Sequence, residues 1–386
     1  MRHVFCTLLL CFAIHNCMAF DWKPQTNERL RSDMIAFARQ FEQETKGTPA
    51  AKLLHKFVRQ QERKAKTDAY AWIGDTYDIV AKLKAIYPPL TNDDSTASLI
   101  RKRTLQLLDY PIHVNNRAPN INTAEKEAFE KNLDSYLLQA RQRALAFLAE
   151  PAPADGKLAL CKVYNMGYIL RTSRHTVIVD LCWEGTSEEA AFIASKADAF
   201  FLTHNHGDHF SKIMLQTLLD AGKTVVVPNV PVGKLQSDKF YVLDEELTTP
   251  RSIAGIDVVT MRGQQGVEFP NNVYLFDIDG WRIIHQGDNE IREKEAHVAD
   301  YDVADIVIAA SWNKIHNILG AAMKAKGADQ RPPLFIPSHE NEKGHGVDHR
   351  ESYHELFDRA DRLGDATFHY PPFMLLDIGE TYLFSK

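Results

Sequence analysis

The feature that most constrains this chain is Thr203-His204-Asn205-His206-Gly207-Asp208-His209, which places four metal-binding side chains within six residues. The apolar run Ala199-Phe200-Phe201-Leu202 before it reads as a buried strand, and Phe210 to Ala221 after it has helical spacing. The motif therefore sits on a strand-to-helix loop, where α/β folds carry their active sites. In extended backbone His204 and His206 point the same way and can share one ion. Gly207 permits a sharp turn that sends Asp208 and His209 to a neighbouring point, where imidazole and carboxylate suit a second, zinc-like ion. A polar loop with chance histidines is the competing reading, and this density of ligand types on this element counts against it.

His-x-His-x-Asp-His after a strand resembles the signature of the metallo-β-lactamase superfamily. The resemblance implies a four-layer αββα sandwich binding Zn²⁺, one ion or two, with iron or manganese as alternatives. It also implies a carboxylate shared by both ions, delivered by Gly-Asp after a strand; Arg282-Ile283-Ile284-His285-Gln286-Gly287-Asp288 has that form. A last histidine is expected after a further strand, and Leu334-Phe335-Ile336-Pro337-Ser338-His339 supplies His339. Asp180, closing Val177-Ile178-Val179, corresponds to an aspartate beneath the metal loop, expected to orient a ligand and not to bind metal.

One departure stands out: no histidine lies between His209 and His285, and the place where most two-metal members supply a third one reads Thr260-Met261-Arg262-Gly263-Gln264-Gln265. The first ion is left with His204, His206 and Asp288, a two-histidine, one-carboxylate set that also suits iron. The second, with Asp208, His209, Asp288 and His339, is more complete. His285 is expected to face elsewhere, and His316 is an outside candidate; the polar stretch from Glu340 through His345 and His349 to Arg350 reads either as lining of the substrate pocket or as a solvated loop. The implied activity is hydrolysis of an ester, lactone, amide or phosphodiester, with Asp208 steering the nucleophile. An iron-dependent dioxygenase and a binding protein with a degenerate site are the alternatives. The Pro-Ser-His ending resembles most the branch of ascorbate-phosphate lactonase and N-acyl phosphatidylethanolamine phospholipase D.

The rest of the chain divides into three. Residues 1–19 read as a secretory signal peptide, with Arg2, an apolar run from Val4 to Ile14 and a small-residue end at Ala19, implying a secreted or periplasmic protein. That run is too short to span a bilayer. Residues 20–150 have helical patterning, with Gly47-Thr48-Pro49 separating two helices and an apolar stripe through Phe129, Leu133, Tyr136, Leu137, Ala140, Ala144 and Phe147. Pro151-Ala152-Pro153 marks the boundary to 151–386, where strands alternate with helices as in an α/β sandwich.

Of five cysteines, Cys6, Cys11 and Cys17 fall in the leader; Cys161 and Cys182 remain, free or paired. The net charge is −6 with no basic stripe carrying aromatics, so no nucleic-acid partner is expected. A small-molecule or lipid-like substrate is, and a homo-oligomer stays open.

Overall fold

In the computed structural model, residues 27–64, 70–91, 95–114, 123–233, 235, 237–243, 247–265, 269–290, 304–310, 333–343, 351–357 and 373–386 are described. Five helices come first: α1 (Asn27–Glu44), α2 (Pro49–Lys64), α3 (Ala71–Ile86), α4 (Thr96–Ile112) and α5 (Thr123–Ala149). Thr48 accepts the Ala51 N–H at 3.3 Å and Pro49 occupies the first helical position, so the expected break between α1 and α2 is found. Their apolar stripes meet in one core of Leu30, Phe41, Leu54, Trp72, Leu105 and Phe129.

The remainder is a mixed α/β sandwich of two facing sheets. The first has order β13-β1-β2-β3-β4-β5-β6, from β1 (Lys157–Tyr164), β2 (Gly167–Arg171), β3 (Thr176–Val179), β4 (Ala199–Phe201), β5 (Thr224–Val227), β6 (Phe240–Val242) and β13 (Glu380–Ser385). The second has order β12-β11-β10-β9-β8-β7, from β7 (Leu247–Ile253), β8 (Ile256–Gln265), β9 (Phe269–Ile278), β10 (Trp281–His285), β11 (Ile306–Ala310) and β12 (Leu334–Ser338). Antiparallel pairing runs from β13 to β3, and β3 to β6 pair in parallel, connected by α6 (Ser187–Lys196) and α7 (Lys212–Asp220).

Alternation along the strands explains the layers. Val177 and Val179 face the second sheet with Phe201, meeting Tyr274, Phe276 and Ile308, whereas Ile178 and Phe200 point outward under α6 and α7. With both faces covered, these strands are apolar throughout, as parallel strands must be. Met261, Val273, Ile284 and Val307 form an apolar cluster on the other side of the second sheet; the segments following Glu290 and Ala310, where the fourth layer is expected, lie outside the described residues. Among the described residues no helix is long and apolar enough to cross a membrane. Cys161 and Cys182 are free thiols.

Candidate metal centre

The site forms where strands of both sheets end. β3 stops at Asp180, held at φ 47°, and β4 runs parallel beside it into the histidine loop. Asp180 ties the two together: Oδ1 accepts the Thr203 N–H at 2.7 Å, and Oδ2 accepts the Thr203 hydroxyl at 2.6 Å and His209 Nδ1–H at 3.0 Å. Fixing the proton on Nδ1 leaves the Nε2 lone pair directed at the centre. Asp180 thus takes the orienting position expected of it.

From the second sheet, β10 leads through Gly287 (φ 54°) to Asp288. A Cβ at Gly287 would stand 2.3 Å from Thr203 Oγ1 and 2.6 Å from Asn271 Oδ1, so only glycine lets the two loops approach this closely. Asn271 Oδ1 also accepts the Asp288 N–H at 3.2 Å. β12 delivers His339 in a left-handed conformation, φ 74°, rare for a side-chain-bearing residue and the kind of local strain that collects at functional sites.

All six side chains converge. Ligand atoms of Asp208, His209, Asp288 and His339 lie within 4.8 Å of one another, as do those of His204, His206 and Asp288. Donors about 2.0–2.1 Å from a tetrahedral ion are about 3.3–3.4 Å apart. In the first set His209 Nε2 lies 3.2 Å from Asp288 Oδ1 and 3.5 Å from Asp208 Oδ2, and His339 Nε2 lies 3.3 Å from Asp208 Oδ2 and 3.2 Å from Asp288 Oδ2. His204 Nε2 is 3.6 Å from Asp288 Oδ2, which places Asp288 between the two sets. His209 Nε2 and Asp288 Oδ1 are buried and face each other without completing a hydrogen bond. Donors crowded at ligand spacing rather than paired are what a shared cation requires.

The charges agree. Burial works against a charged His209, yet Asp288 and Asp180 hold its pKa well above the usual imidazole value. His339 is likewise pushed up to about 10, burial opposing and Asp288 and Asp208 prevailing. His204 falls to about 3 through burial and the neighbouring His209. Asp288, despite burial, is held well below the carboxylate range by His209 and His339. The carboxylates demand positive charge at this point; two protonated imidazoles supply it, or a divalent cation would, with the imidazoles neutral.

Several residues that sequence reasoning missed complete the surroundings. Asn165 (φ 52°) donates its side-chain N–H to Asp208 Oδ2 at 2.7 Å, and Gln265 Nε2 donates to Asp288 Oδ2 at 3.0 Å. Behind His339, Glu340 is wholly buried; burial raises its pKa although Lys162 pairs with it. Tyr353 donates to the same carboxylate at 3.1 Å. His285, as expected, is not part of the cluster: its Nε2–H donates to the Met166 carbonyl at 2.9 Å and its Nδ1 accepts the Gly287 N–H at 3.3 Å. His316, His345 and His349 lie outside the described residues.

A cleft is lined by Leu137, Ala140 and Arg141 of α5 together with Val163, Tyr164, Cys182, Trp183, Glu184 and Lys343; none of the six convergent side chains lines it. Cys182 Sγ–H donates to the Gly207 carbonyl at 3.1 Å, and Tyr164 precedes the Asn165 that holds Asp208. One wall of the cleft is therefore continuous with the histidine loop.

Comparison with known proteins places these observations beside metallo-β-lactamase-fold structures. No family model and no curated protein matches the chain. Among solved structures, it is similar to Igni18, a metallo hydrolase from Ignicoccus hospitalis, with a TM-score of 0.45 and 14% identity over 60% of this chain and 99% of that one. YhfI from Bacillus subtilis, a metallo-β-lactamase-fold protein, gives 0.41 and 12% over 60% of this chain and all of the other. CmlA, a diiron β-hydroxylase from Streptomyces venezuelae, gives 0.39 and 13%, covering 69% of this chain and 58% of CmlA.

Proposed function

We propose that this chain is a metal-dependent hydrolase of the metallo-β-lactamase type, with Asp208, His209, Asp288 and His339 holding one ion and His204, His206 and Asp288 the other. The observation that supports it is the convergence of six ligand side chains, from loops far apart in sequence, at separations matching the edges of a coordination polyhedron. Zinc is the ion proposed, with iron or manganese as alternatives. A divalent ion there supplies Lewis acidity, making water nucleophilic near neutral pH and polarising the substrate oxygen. The protein does the rest. Asp180 fixes the His209 tautomer, and Asn165 holds Asp208 by one oxygen. Asp208, partly exposed at the wall of the site, orients the attacking water and passes its proton to the leaving group.

The cleft supports a substrate with an apolar body, seated against Leu137, Ala140 and Trp183. Of the charged residues lining the cleft, Lys343 pairs with Glu184 whereas Arg141 makes no ion pair among the described residues, so its guanidinium favours an anionic or carbonyl-bearing group on the part that does not react. A small molecule or a lipid-like ester answers this description. We assign the branch of ascorbate-phosphate lactonase and N-acyl phosphatidylethanolamine phospholipase D, supported by the Pro337-Ser338-His339 ending, and propose export on the strength of the leader sequence. Residues 20–150 are proposed as a substrate-selecting helical unit on the sandwich of 151–386.

The decisive experiment is elemental analysis of the purified protein alongside a panel of esters, lactones, phosphodiesters and β-lactams. Turnover lost on chelation and restored by zinc supports the reading; metal-free protein with undiminished turnover overturns it. The two-histidine, one-carboxylate set at His204, His206 and Asp288 favours one second reading, an iron dioxygenase, which oxygen uptake by iron-loaded protein would reveal.

A further inference from the structure

The two ligand sets are unequal: Asp208, His209, Asp288 and His339 make four, whereas His204, His206 and Asp288 make three. Gln265, the last residue of β8, closes the segment Thr260–Gln265 in which the expected third histidine is missing, and stands at Asp288, the carboxylate common to both sets. Its side-chain Nε2 lies 3.0 Å from Asp288 Oδ2, the oxygen that lies 3.6 Å from His204 Nε2 and 3.2 Å from His339 Nε2. Its other terminal atom, Oε1, is buried and has no hydrogen-bond partner. A single hydrogen bond, from Nε2 to Asp288, therefore sets which way the amide is turned.

The backbone keeps Gln265 in this place. The Gln264 N–H donates to Asn289 Oδ1 at 2.8 Å, and the Glu290 N–H donates back to the Gln264 carbonyl at 2.8 Å. The end of β8 is thus clamped to the loop that carries Asp288. Gly263 allows the clamp, because a Cβ there would stand 2.5 Å from Asn289 Oδ1.

Half a turn about the terminal torsion exchanges the amide oxygen and nitrogen, and hydrogen bonding alone decides between the two orientations. Turned, Oε1 faces Asp288 Oδ2 at the 3.0 Å now spanned by the nitrogen. Two oxygens at that distance repel unless a cation joins them. Bound to one tetrahedral ion the two oxygens would open to about 3.3–3.4 Å, slightly beyond that spacing.

We propose that Gln265 is the fourth ligand of the His204–His206–Asp288 site, binding through its side-chain oxygen. This rests on the reading of the centre as a metal site given above. Its consequence is an asymmetric pair. A neutral amide oxygen is a harder, weaker partner for zinc than an imidazole, so this site is the looser of the two and the one more open to manganese or iron.

The test is calorimetric titration of chelator-stripped full-length protein with Zn²⁺ alone, comparing wild type, Gln265→Ala, Gln265→Glu and Gln265→His. Wild type is expected to bind in a tight and a weaker event. Gln265→Ala should weaken only the weaker event, by about ten-fold or more, while Gln265→Glu preserves it and Gln265→His tightens it. Both events unchanged in Gln265→Ala, or both weakened alike, would overturn the proposal. Wild type that binds no zinc at all would instead remove the metal-site reading on which it rests, so the two failures are told apart by the wild-type titration.

Discussion

Replacing Asp180 by asparagine isolates the orientation of a ligand from its presence. Asparagine tolerates the left-handed backbone at this position, φ 47°, so the loop keeps its path. Its amide oxygen can still accept the Thr203 N–H that Asp180 Oδ1 accepts at 2.7 Å. The amide nitrogen then takes the place of Oδ2, which receives the Thr203 hydroxyl at 2.6 Å and His209 Nδ1–H at 3.0 Å. Thr203 can rotate its hydroxyl and accept. His209 has no such freedom: facing a donor, its Nδ1 must give up the proton, which moves to Nε2, the atom 3.2 Å from Asp288 Oδ1. A protonated Nε2 cannot bind metal. Loss of such an orienting partner costs about 10–100-fold in affinity, or about 1.4–2.7 kcal/mol. Competition with a chromophoric chelator measures this directly on Asp180→Asn, with far-UV circular dichroism confirming the fold. Metal affinity equal to wild type would show that Asp180 does not set the His209 tautomer and would sink the argument.

Other outcomes follow from the same coordinates. Lys84 Nζ lies 2.5 Å from Asp377 Oδ2 and 3.4 Å from Glu380 Oε1 with little exposure, so Lys84→Met strands buried carboxylates and should cost about 3 kcal/mol in urea unfolding. A loss below about 1 kcal/mol, the value of an exposed pair, would contradict the burial. Asp377 is buried, which opposes its ionisation, but Lys84 and Tyr136 bring its pKa down to about 2. Its contribution is therefore complete above the unfolded value of about 3.9 and fades as pH falls toward the folded one, so denaturant midpoints should drop on acidification in that window. Lys84→Met should flatten that drop. Arg141→Ala should raise KM about ten-fold for substrates with an anionic group distal to the scissile bond and leave neutral esters unchanged; equal effects on both would remove Arg141 from substrate selection.

How far the sequence discloses this protein depends on the range of each signal. The convergence of the six candidate side chains was legible because each follows a strand and carries a side chain of distinctive chemistry. The strands were legible because β3, β4 and β5 are covered on both sides and so are continuously apolar. β13 was not: it pairs along an edge of the first sheet, with Leu383 half exposed, and its partner β1 lies far away in the chain. Asn165, Gln265 and Glu340 were missed for a related reason. Amides and carboxylates in loops are common, and only the three-dimensional approach to Asp208, Asp288 and Lys162 distinguishes these from ordinary surface residues. The missing histidine could be seen as an absence in the segment ending at Gln265, but only the fold shows that this amide stands beside Asp288.

The helical region offers the largest gain over sequence reasoning, which shows it only as amphipathic helices ahead of the sandwich. Its helices reach the segment that carries His339 through buried polar contacts. Asp109 of α4 accepts the N–H groups of Tyr353 and His354, each at 2.8 Å, and the Asn341 side-chain N–H at 3.1 Å. Tyr136 of α5 and Lys84 of α3 both bond Asp377, and Tyr353 links Asp377 to Glu340, the neighbour of His339. Arg101 of α4 pairs with Glu380 on β13. Detaching the helices would break all of these hydrogen bonds and ion pairs together. The helices are therefore bound to the sandwich by charge as well as by packing. The same connection means that damage to α4 or α5 reaches the metal centre through the residues flanking His339, although neither helix supplies a ligand.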